Sequence, residues 1–155
     1  MFGWLEGTPA AQWVSLSLWV YPMLLSIHIL GLAVVVGIFL MRDMRLLGLF
    51  NGLDPVAFLS LSRFAWFGFI INAISGALLF ISQAVAFSGN TAFLVKIALI
   101  IIGMILAVLI HSRLRNEFAT AGEVIVNRST RAFALCSLSI WIGAIVAGRL
   151  VAYII

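Results

Sequence analysis

Residues 97–112 read IALIIIGMILAVLIHS and contain no charged side chain. Three other stretches share this property: residues 7–41, 64–95 and 132–148. About 20 apolar residues in a helix suffice to cross the hydrocarbon core of a bilayer. The sequence therefore predicts an all-α fold, an integral membrane four-helix bundle in a single domain, 1–155.

The composition of the whole chain supports this class. Of the 155 residues, 65% are hydrophobic and 9% are charged, whereas soluble domains carry about 25% charged residues. The net charge of +4 would suit nucleic acid only if the basic residues formed a soluble face. They flank apolar runs instead, so we expect the lipid bilayer as partner and no nucleic acid. The single cysteine, Cys136, excludes an internal disulfide and is predicted to be a packing residue.

Helix punctuation suggests where the elements begin and end. Thr8-Pro9 is typical of a helix start and predicts a short interfacial helix at the N-terminus. The spans are predicted at about 22–41, 64–87, 92–112 and 132–155, and the second helix is expected to run unbroken from Pro55 to Phe87. Thr91 is the expected cap of the third span, and Ser129 or Thr130 that of the fourth.

The first residues and the arginines predict location and orientation. Residues 1–10 contain no Lys or Arg, so a signal peptide is not expected and the chain is taken as mature. Arginines are concentrated in the first and third connections, which the positive-inside rule assigns to the cytoplasm. These arginines are Arg42, Arg45, Arg63, Arg113, Arg115, Arg128 and Arg131. We therefore expect a multi-pass protein of a bacterial inner membrane with both termini in the periplasm.

Few ionisable residues lie at membrane depth, and each is a candidate functional residue because burying it in lipid is costly. At 1.5 Å per residue, His28 lies about 21 Å from the level of Arg42. The same count puts Gly76 close to the level of His28, and Lys96 and Arg149 nearer the periplasmic rim. The sequence predicts one polar layer built from four helices.

This layer would suit a b-type haem. His28 is the expected metal ligand, Gly31 and Gly76 would leave room for a flat macrocycle, and Lys96 and Arg149 would hold its propionates. A quinone head group would fit equally well. The simpler interpretation makes His28 a histidine hydrogen-bonded to a neighbouring helix, with the two cations extending to the membrane interface.

The sequence offers few residues for other kinds of functional site. His111 lies two residues before Arg113, hence about 18 Å from His28, so one haem cannot use both histidines. An interfacial role is expected for His111, with a second cofactor as the alternative. Asp43 and the other acidic residues are expected in loops or at the N-terminus, which leaves no carboxylate in a span to relay protons. No catalytic residue is identified.

Small residues follow the second and fourth helices at helical spacing. Gly68, Asn72, Ser75, Gly76, Leu79 and Gln83 share one face of the second, and Ala144, Gly148 and Ala152 share one face of the fourth. Such stripes let membrane helices approach closely. We interpret them as packing surfaces, with a cofactor or quinone groove as the alternative.

Several runs resemble an uncharacterised family of bacterial four-helix inner-membrane proteins, known only as a domain of unknown function. They are Ser26-Ile-His28-Ile-Leu-Gly31 followed by Arg42-Asp43-Met-Arg45, then Gly89-Asn90 through His111, and Trp141-Ile-Gly143 through Tyr153. The resemblance covers nearly the whole chain. It implies the fold and an inner-membrane location, and it implies no activity.

The sequence is also distantly similar to two other groups of proteins. The positions that carry this similarity are His28 with Gly31 in an early span and Lys96 near the start of a later span. The two groups are the membrane domains of copper-resistance D-type proteins and the membrane-type protoporphyrinogen oxidases. The second resemblance would make His28 a haem ligand and Lys96 a contact of haem or substrate.

We therefore expect a b-type, cytochrome-like subunit that transfers electrons between a quinone and a redox partner. Two alternatives remain open: a membrane oxidoreductase acting on a porphyrin or a quinone, and a non-catalytic assembly partner of a membrane complex.

Overall fold

The computed structural model describes residues 2–122, 124 and 126–154. Within them the chain forms helices and no strand: α1 (Gly3–Glu6), α2 (Pro9–Leu16), α3 (Val20–Leu46), α4 (Ala57–Ser82), α5 (Ala84–Ser88), α6 (Thr91–Ala121) and α7 (Arg128–Ile154). Helices α3, α4, α6 and α7 are each long and apolar enough to cross a membrane. The predicted all-α membrane bundle is confirmed.

The short N-terminal helix begins where its sequence predicts. Pro9 is the first residue of α2, and the Thr8 hydroxyl accepts a hydrogen bond from the Ala11 backbone N–H at 3.3 Å. This bond satisfies one of the N–H groups that a helix start leaves without a partner. Helix α2 packs against α3 and α4, so it covers one end of the bundle.

Helix α3 extends beyond its predicted end at Met41 and reaches Leu46. Residues 42–46 contain Arg, Met and Leu, which are strong helix formers, and no glycine or proline that would stop a helix. Gly48, with φ +99°, provides the turn that follows. Asp43 therefore lies inside a span, and the expectation that it sits in a loop is wrong.

Helix α4 does not continue to Phe87 as predicted. It ends at Ser82, because Gln83 leaves the helical conformation with φ −142° and ψ 42°, and the short helix α5 follows. The Glu6 carboxylate accepts a hydrogen bond from the Val85 backbone N–H at 2.9 Å, in the first turn of α5. A residue 79 positions away in the chain thus stabilises the new helix start.

The caps of the last two spans are asparagines, not the predicted hydroxyl residues. The Asn90 side chain accepts from the Phe93 N–H at 3.1 Å at the start of α6. The Asn127 side chain accepts from the Thr130 N–H at 2.8 Å at the start of α7. Asparagine serves this role as well as serine or aspartate does, and each lies one to three residues before the predicted cap.

The four long helices are arranged in the order α4, α3, α7, α6. Helix α3 packs along α4, α6 packs along α7, and α3 joins the two pairs by contacting α7, whereas α4 and α6 touch very little. One apolar core cluster lies between the pairs and includes Val35, Phe39, Met104 and Trp141. The bundle is therefore closed on three sides, and its fourth side is a loose seam between α4 and α6.

The closest crossing joins α3 to α4 through two glycines. A Cβ atom on Gly31 would lie 3.0 Å from the carbonyl oxygen of Gly68 and 3.1 Å from the backbone nitrogen of Asn72. The predicted inward face of α4 is confirmed here, since Gly68, Asn72, Ser75 and Leu79 are all buried. Such close backbone approach is what small residues permit in membrane helix packing.

Replacing Gly31 by valine should lower the free energy of unfolding by about 1 to 3 kcal/mol, because the new side chain meets backbone atoms that cannot move aside. Gly37→Val is the matched control, since Gly37 lies on the same helix with nothing within 4 Å of its Cβ position. Denaturant unfolding of both variants in detergent would measure the difference. Equal stability of the two variants would contradict the proposed crossing.

Candidate functional site

A cavity of about 690 Å³ lies in the half of the bundle where α3 begins and α4 ends. All four long helices contribute to its wall, which is mostly aliphatic and aromatic. The polar exceptions include His28 from α3, Asn72 from α4 and Lys96 from α6. A largely apolar cavity with a few convergent polar groups is the usual form of a small-molecule site.

The His28 side chain is held firmly by α4. Its Nδ1 lies 3.0 Å from the backbone carbonyl oxygen of Asn72 and 3.1 Å from the Ser75 hydroxyl oxygen. In return, the Asn72 side-chain amide donates to the His28 backbone carbonyl oxygen at 2.8 Å. The two helices therefore exchange hydrogen bonds at this level, and the imidazole has one orientation.

These partners also determine which ring nitrogen carries the proton. A carbonyl oxygen can only accept, so Nδ1 must be the N–H that donates to Asn72. The Ser75 hydroxyl already donates to the Ile71 carbonyl oxygen at 2.7 Å, which leaves its oxygen as a second acceptor for Nδ1. The neutral ring therefore keeps Nε2 unprotonated, with only a long 3.5 Å contact to the Asn72 amide. Nε2 is free to bind a metal ion or to accept a hydrogen bond from a ligand.

Gly76 supplies the space that the imidazole occupies. A Cβ atom at this position would lie 2.9 Å from His28 Cε1 and 3.3 Å from its Nδ1. Any larger residue would push the ring away from the Asn72 carbonyl oxygen. The glycine predicted to make room for a cofactor thus makes room first for the histidine.

Lys96 faces the same cavity from α6. Its aliphatic stem packs over Gly148 of α7, where a Cβ would lie 3.4 Å from Cδ and 3.5 Å from Cε. Lys96 and His28 both line this cavity. Among the described residues no acidic side chain lines the cavity, and the ion pair that they contain joins Arg42 to Asp43. Lys96 is therefore the charged group of the described cavity wall.

Aromatic rings close the cavity at the end that α5 covers. Phe93 stacks on Phe80 with ring centroids 5.5 Å apart, and on Phe87 with centroids 5.4 Å apart. At the opposite side the floor consists of Phe69 and Ile100, which rest on the apolar core cluster. Both boundaries are apolar, and the polar groups of the site lie between them.

The structure brings some of the predicted site residues together and leaves others apart. His28, Gly76 and Lys96 line one cavity. Gly31 is buried one turn below His28, at the crossing with α4. Arg149 does not line the cavity: it is exposed, and its guanidinium lies 3.5 Å from the hydroxyl of Tyr153, on the next turn of its own helix.

His111 belongs to the other half of the bundle. It follows Lys96 on α6 by a distance of about 22 Å along the helix axis. It is half-buried and lies near the guanidinium of Arg42. The structure thus keeps the two histidines at different levels, and the parts of the chain that it describes contain no cluster of three or more His, Cys, Asp or Glu side chains that could hold a metal ion.

A second polar cluster lies near His111 and was missed by the sequence analysis. Arg42 and Asp43 form a buried ion pair with exposures of 3% and 0%, and Asp43 Oδ1 accepts from Arg42 Nη2 at 2.7 Å and from Nε at 2.9 Å. Arg42 also donates to the Ala107 carbonyl oxygen at 3.3 Å and lies over the Phe39 ring. The available signal was the helix-forming sequence after Met41, which keeps both residues inside the span.

Helix α7 completes this cluster with Ser137 and Trp141, which are also buried. Ser137 lies next to Asp43, and Trp141 stacks on Phe39 one turn along, with ring centroids 5.6 Å apart. Their neighbour Cys136 is exposed, so the prediction that it is a packing residue is wrong. The cluster ties α3 to both α6 and α7 away from the cavity.

Most of the chain matches a known protein family. Residues 17–154 match the family of unknown function DUF6644. The chain belongs to this family. No curated protein and no solved structure matches the chain. The expected membership of an uncharacterised family is confirmed, whereas similarity to copper-resistance D-type proteins or protoporphyrinogen oxidases is not shown.

Within this member of the family, Asp43→Ala should lower the free energy of unfolding by about 3 to 5 kcal/mol, because it leaves the buried Arg42 charge without a counter-ion. The double variant Arg42→Met, Asp43→Leu removes both charges and should recover most of that loss. Arg63→Ala, at an exposed position, serves as the control. A double variant as unstable as Asp43→Ala would contradict this assignment, and denaturant unfolding in detergent would decide.

Proposed function

We propose that this protein is a b-type haem-binding membrane subunit that transfers electrons, with His28 as the axial ligand. The supporting observation is the hydrogen bond from His28 Nδ1 to the Asn72 carbonyl oxygen. Metal-binding histidines almost always donate their second ring N–H to such a partner, which fixes the ring and raises the basicity of the ligating nitrogen. His28 has this arrangement and faces a cavity of about 690 Å³.

The remaining cavity residues fit the same ligand. The apolar wall suits a flat macrocycle, and Lys96 can pair with a propionate as a charge-assisted contact. Arg149, the other predicted anchor, is exposed on α7 and has no part in this proposal. Lys96 is therefore the cation that would hold the acidic edge.

A bound haem would supply a reversible one-electron couple whose potential depends on the axial ligand, hydrogen bonding and burial. The chain's own residues control these factors. His28 supplies the ligand, Asn72 and Ser75 orient it, and the stacked rings of Phe80, Phe87 and Phe93 keep water from one end.

The orientation in the membrane is part of the proposal. In a bacterial inner membrane the arginine-rich connections would face the cytoplasm. The cavity, at the other end of the bundle, would then lie in the periplasmic half, and a redox partner would approach from that side or within the bilayer.

His28→Gln should abolish the reducible α-band that we expect for the purified protein in a dithionite-reduced minus oxidised spectrum. Glutamine keeps a hydrogen-bond donor near Asn72 but is not a haem ligand. His28→Ala should have the same effect, and His111→Ala, the matched control, should keep the band. Loss of the band in the His111 variant instead would overturn the assignment of the ligand.

Gly76→Ala should weaken haem binding by about tenfold, because its Cβ would lie 2.9 Å from His28 Cε1 and displace the ring. Gly143→Ala is the control, since a Cβ there would make an ordinary contact with Leu99 at 3.4 Å. Titration of the apoprotein with haemin would give both dissociation constants. Equal constants would contradict the role assigned to Gly76.

A quinone is the second candidate, favoured by one observation. His28 offers an acceptor in Nε2, Lys96 offers a donor, and both residues line the cavity, whose described wall contains no Met, no Cys and no second His. A quinol hydroxyl and a quinone carbonyl would find one partner each. Absence of any α-band together with quinone in a solvent extract would favour this candidate, and absence of both would favour a structural role in a membrane complex.

A further inference from the structure

The cavity wall is exposed where α4 and α6 face each other. Ala73 and Ala77 of α4 and Ile97 and Ile101 of α6 all line the cavity, and all four are exposed. Because α4 and α6 touch very little, their wall residues leave an opening along this seam. We call these four residues the lateral opening.

The lateral opening lies at the depth of the hydrocarbon. Ala77 and Ala73 precede the end of α4 by about 8 and 14 Å, and Ile97 and Ile101 follow the start of α6 by about 9 and 15 Å. All four side chains are apolar. Two other wall residues are exposed: Leu25, about 8 Å from the start of α3, and Ala152, about 3 Å from the end of α7.

Apolar side chains cover the two ends of the cavity along the bundle axis. The rings of Phe80, Phe87 and Phe93 cover the end nearest α5. Phe69 and Ile100 form the floor and rest on the buried core cluster, which separates the cavity from the Arg42–Asp43 pair. Water therefore has no direct route from the arginine-rich end, whereas the lateral opening faces the lipid.

The charge of the cavity narrows the class of molecule that could use this route. Lys96 is a cation, and no described wall residue is acidic. A cationic ligand would be repelled, while a carboxylate or carbonyl oxygen would find a donor in the Lys96 ammonium. The apolar wall requires the remainder of the ligand to be apolar as well.

We propose that the lateral opening between α4 and α6 admits a lipid-soluble amphiphile from the bilayer, which enters with its apolar body along Ala73 and Ala77 and places an acidic or carbonyl oxygen at Lys96. The ligand class deepens the function proposed above and rests on it. The route concerns access to the cavity and does not depend on the redox chemistry.

Two tryptophan substitutions test the route. Ala77→Trp and Ala73→Trp should narrow the lateral opening and slow the capture of haemin from preloaded liposomes by about tenfold, equivalent to about 1.4 kcal/mol in the barrier. Ile74→Trp is the control, since Ile74 faces outward next to Ala73 but does not line the cavity. Leu25→Trp tests the alternative opening near the start of α3. Slow capture in the Leu25 or Ile74 variant and normal capture in the Ala77 variant would overturn the proposal.

The same variants are tested with a hydrophobic alkyl benzoquinone as probe. Slow capture of haemin alone identifies an acidic porphyrin as the ligand, and slow capture of the quinone alone identifies a carbonyl ligand. Both outcomes support the route.

A second measurement separates the route from the ligand. A nitroxide attached to Cys at position 100, introduced as Ile100→Cys in a Cys136→Ala background, reports which reagents reach the cavity floor. We expect frequent collisions with lipid-soluble oxygen, few with a water-soluble nickel chelate, and a loss of the oxygen collisions in Ala77→Trp but not in Ile74→Trp. This pattern without capture of either probe would support the route and overturn the proposed ligands, whereas frequent collisions with the nickel chelate would overturn the route.

Discussion

The exchange of hydrogen bonds between His28 and Asn72 is the interaction on which the site depends. Polar groups inside a bilayer cannot rely on water, so each needs a partner within the protein. The His28 backbone carbonyl accepts from the Asn72 side-chain amide, and the Asn72 backbone carbonyl accepts from the imidazole Nδ1, so each side chain finds its partner on the other helix. These bonds require α3 and α4 to lie almost in contact, which Gly31 and Gly68 permit. The orientation of the histidine and the packing of two helices are therefore one arrangement.

Close packing of α3 on α4 has a consequence on the far side of α4. A helix that commits one face to α3 has less surface for α6, and the stretch of α4 that faces α6 carries alanines at positions 73 and 77. Small side chains there leave space instead of filling it, since interiors are otherwise close-packed. The cavity and its lateral opening thus follow from the same asymmetry that fixes His28.

The two halves of the bundle solve the problem of buried charge differently. Near the arginine-rich end, Arg42 and Asp43 are adjacent, share one hydrogen-bonded pair and are sealed from solvent. In the cavity, Lys96 has no acidic partner among the described wall residues. The charges of the sealed pair compensate each other, whereas an accessible cation without a counter-ion suits an acidic ligand. This contrast is why the cavity, and not the ion pair, is the functional candidate.

The class of the protein can be predicted from its residues alone, because four long apolar stretches and few charges leave a helical membrane bundle as the stable solution. Helical periodicity also determined the inward face of α4, and residue counting along straight helices brought Gly76 to the level of His28. Features that depend on contacts between distant residues become visible once the helices are packed together. The helix start after the break at Gln83 is stabilised by the hydrogen bond that Glu6 accepts from Val85 of α5. The Arg149 guanidinium lies next to Tyr153 on its own helix and not in the cavity. Asp43 is buried because α7 covers it. Counting gives depth along a helix axis, but rotation about that axis and the gap between two helices are set by packing, which a single sequence does not display.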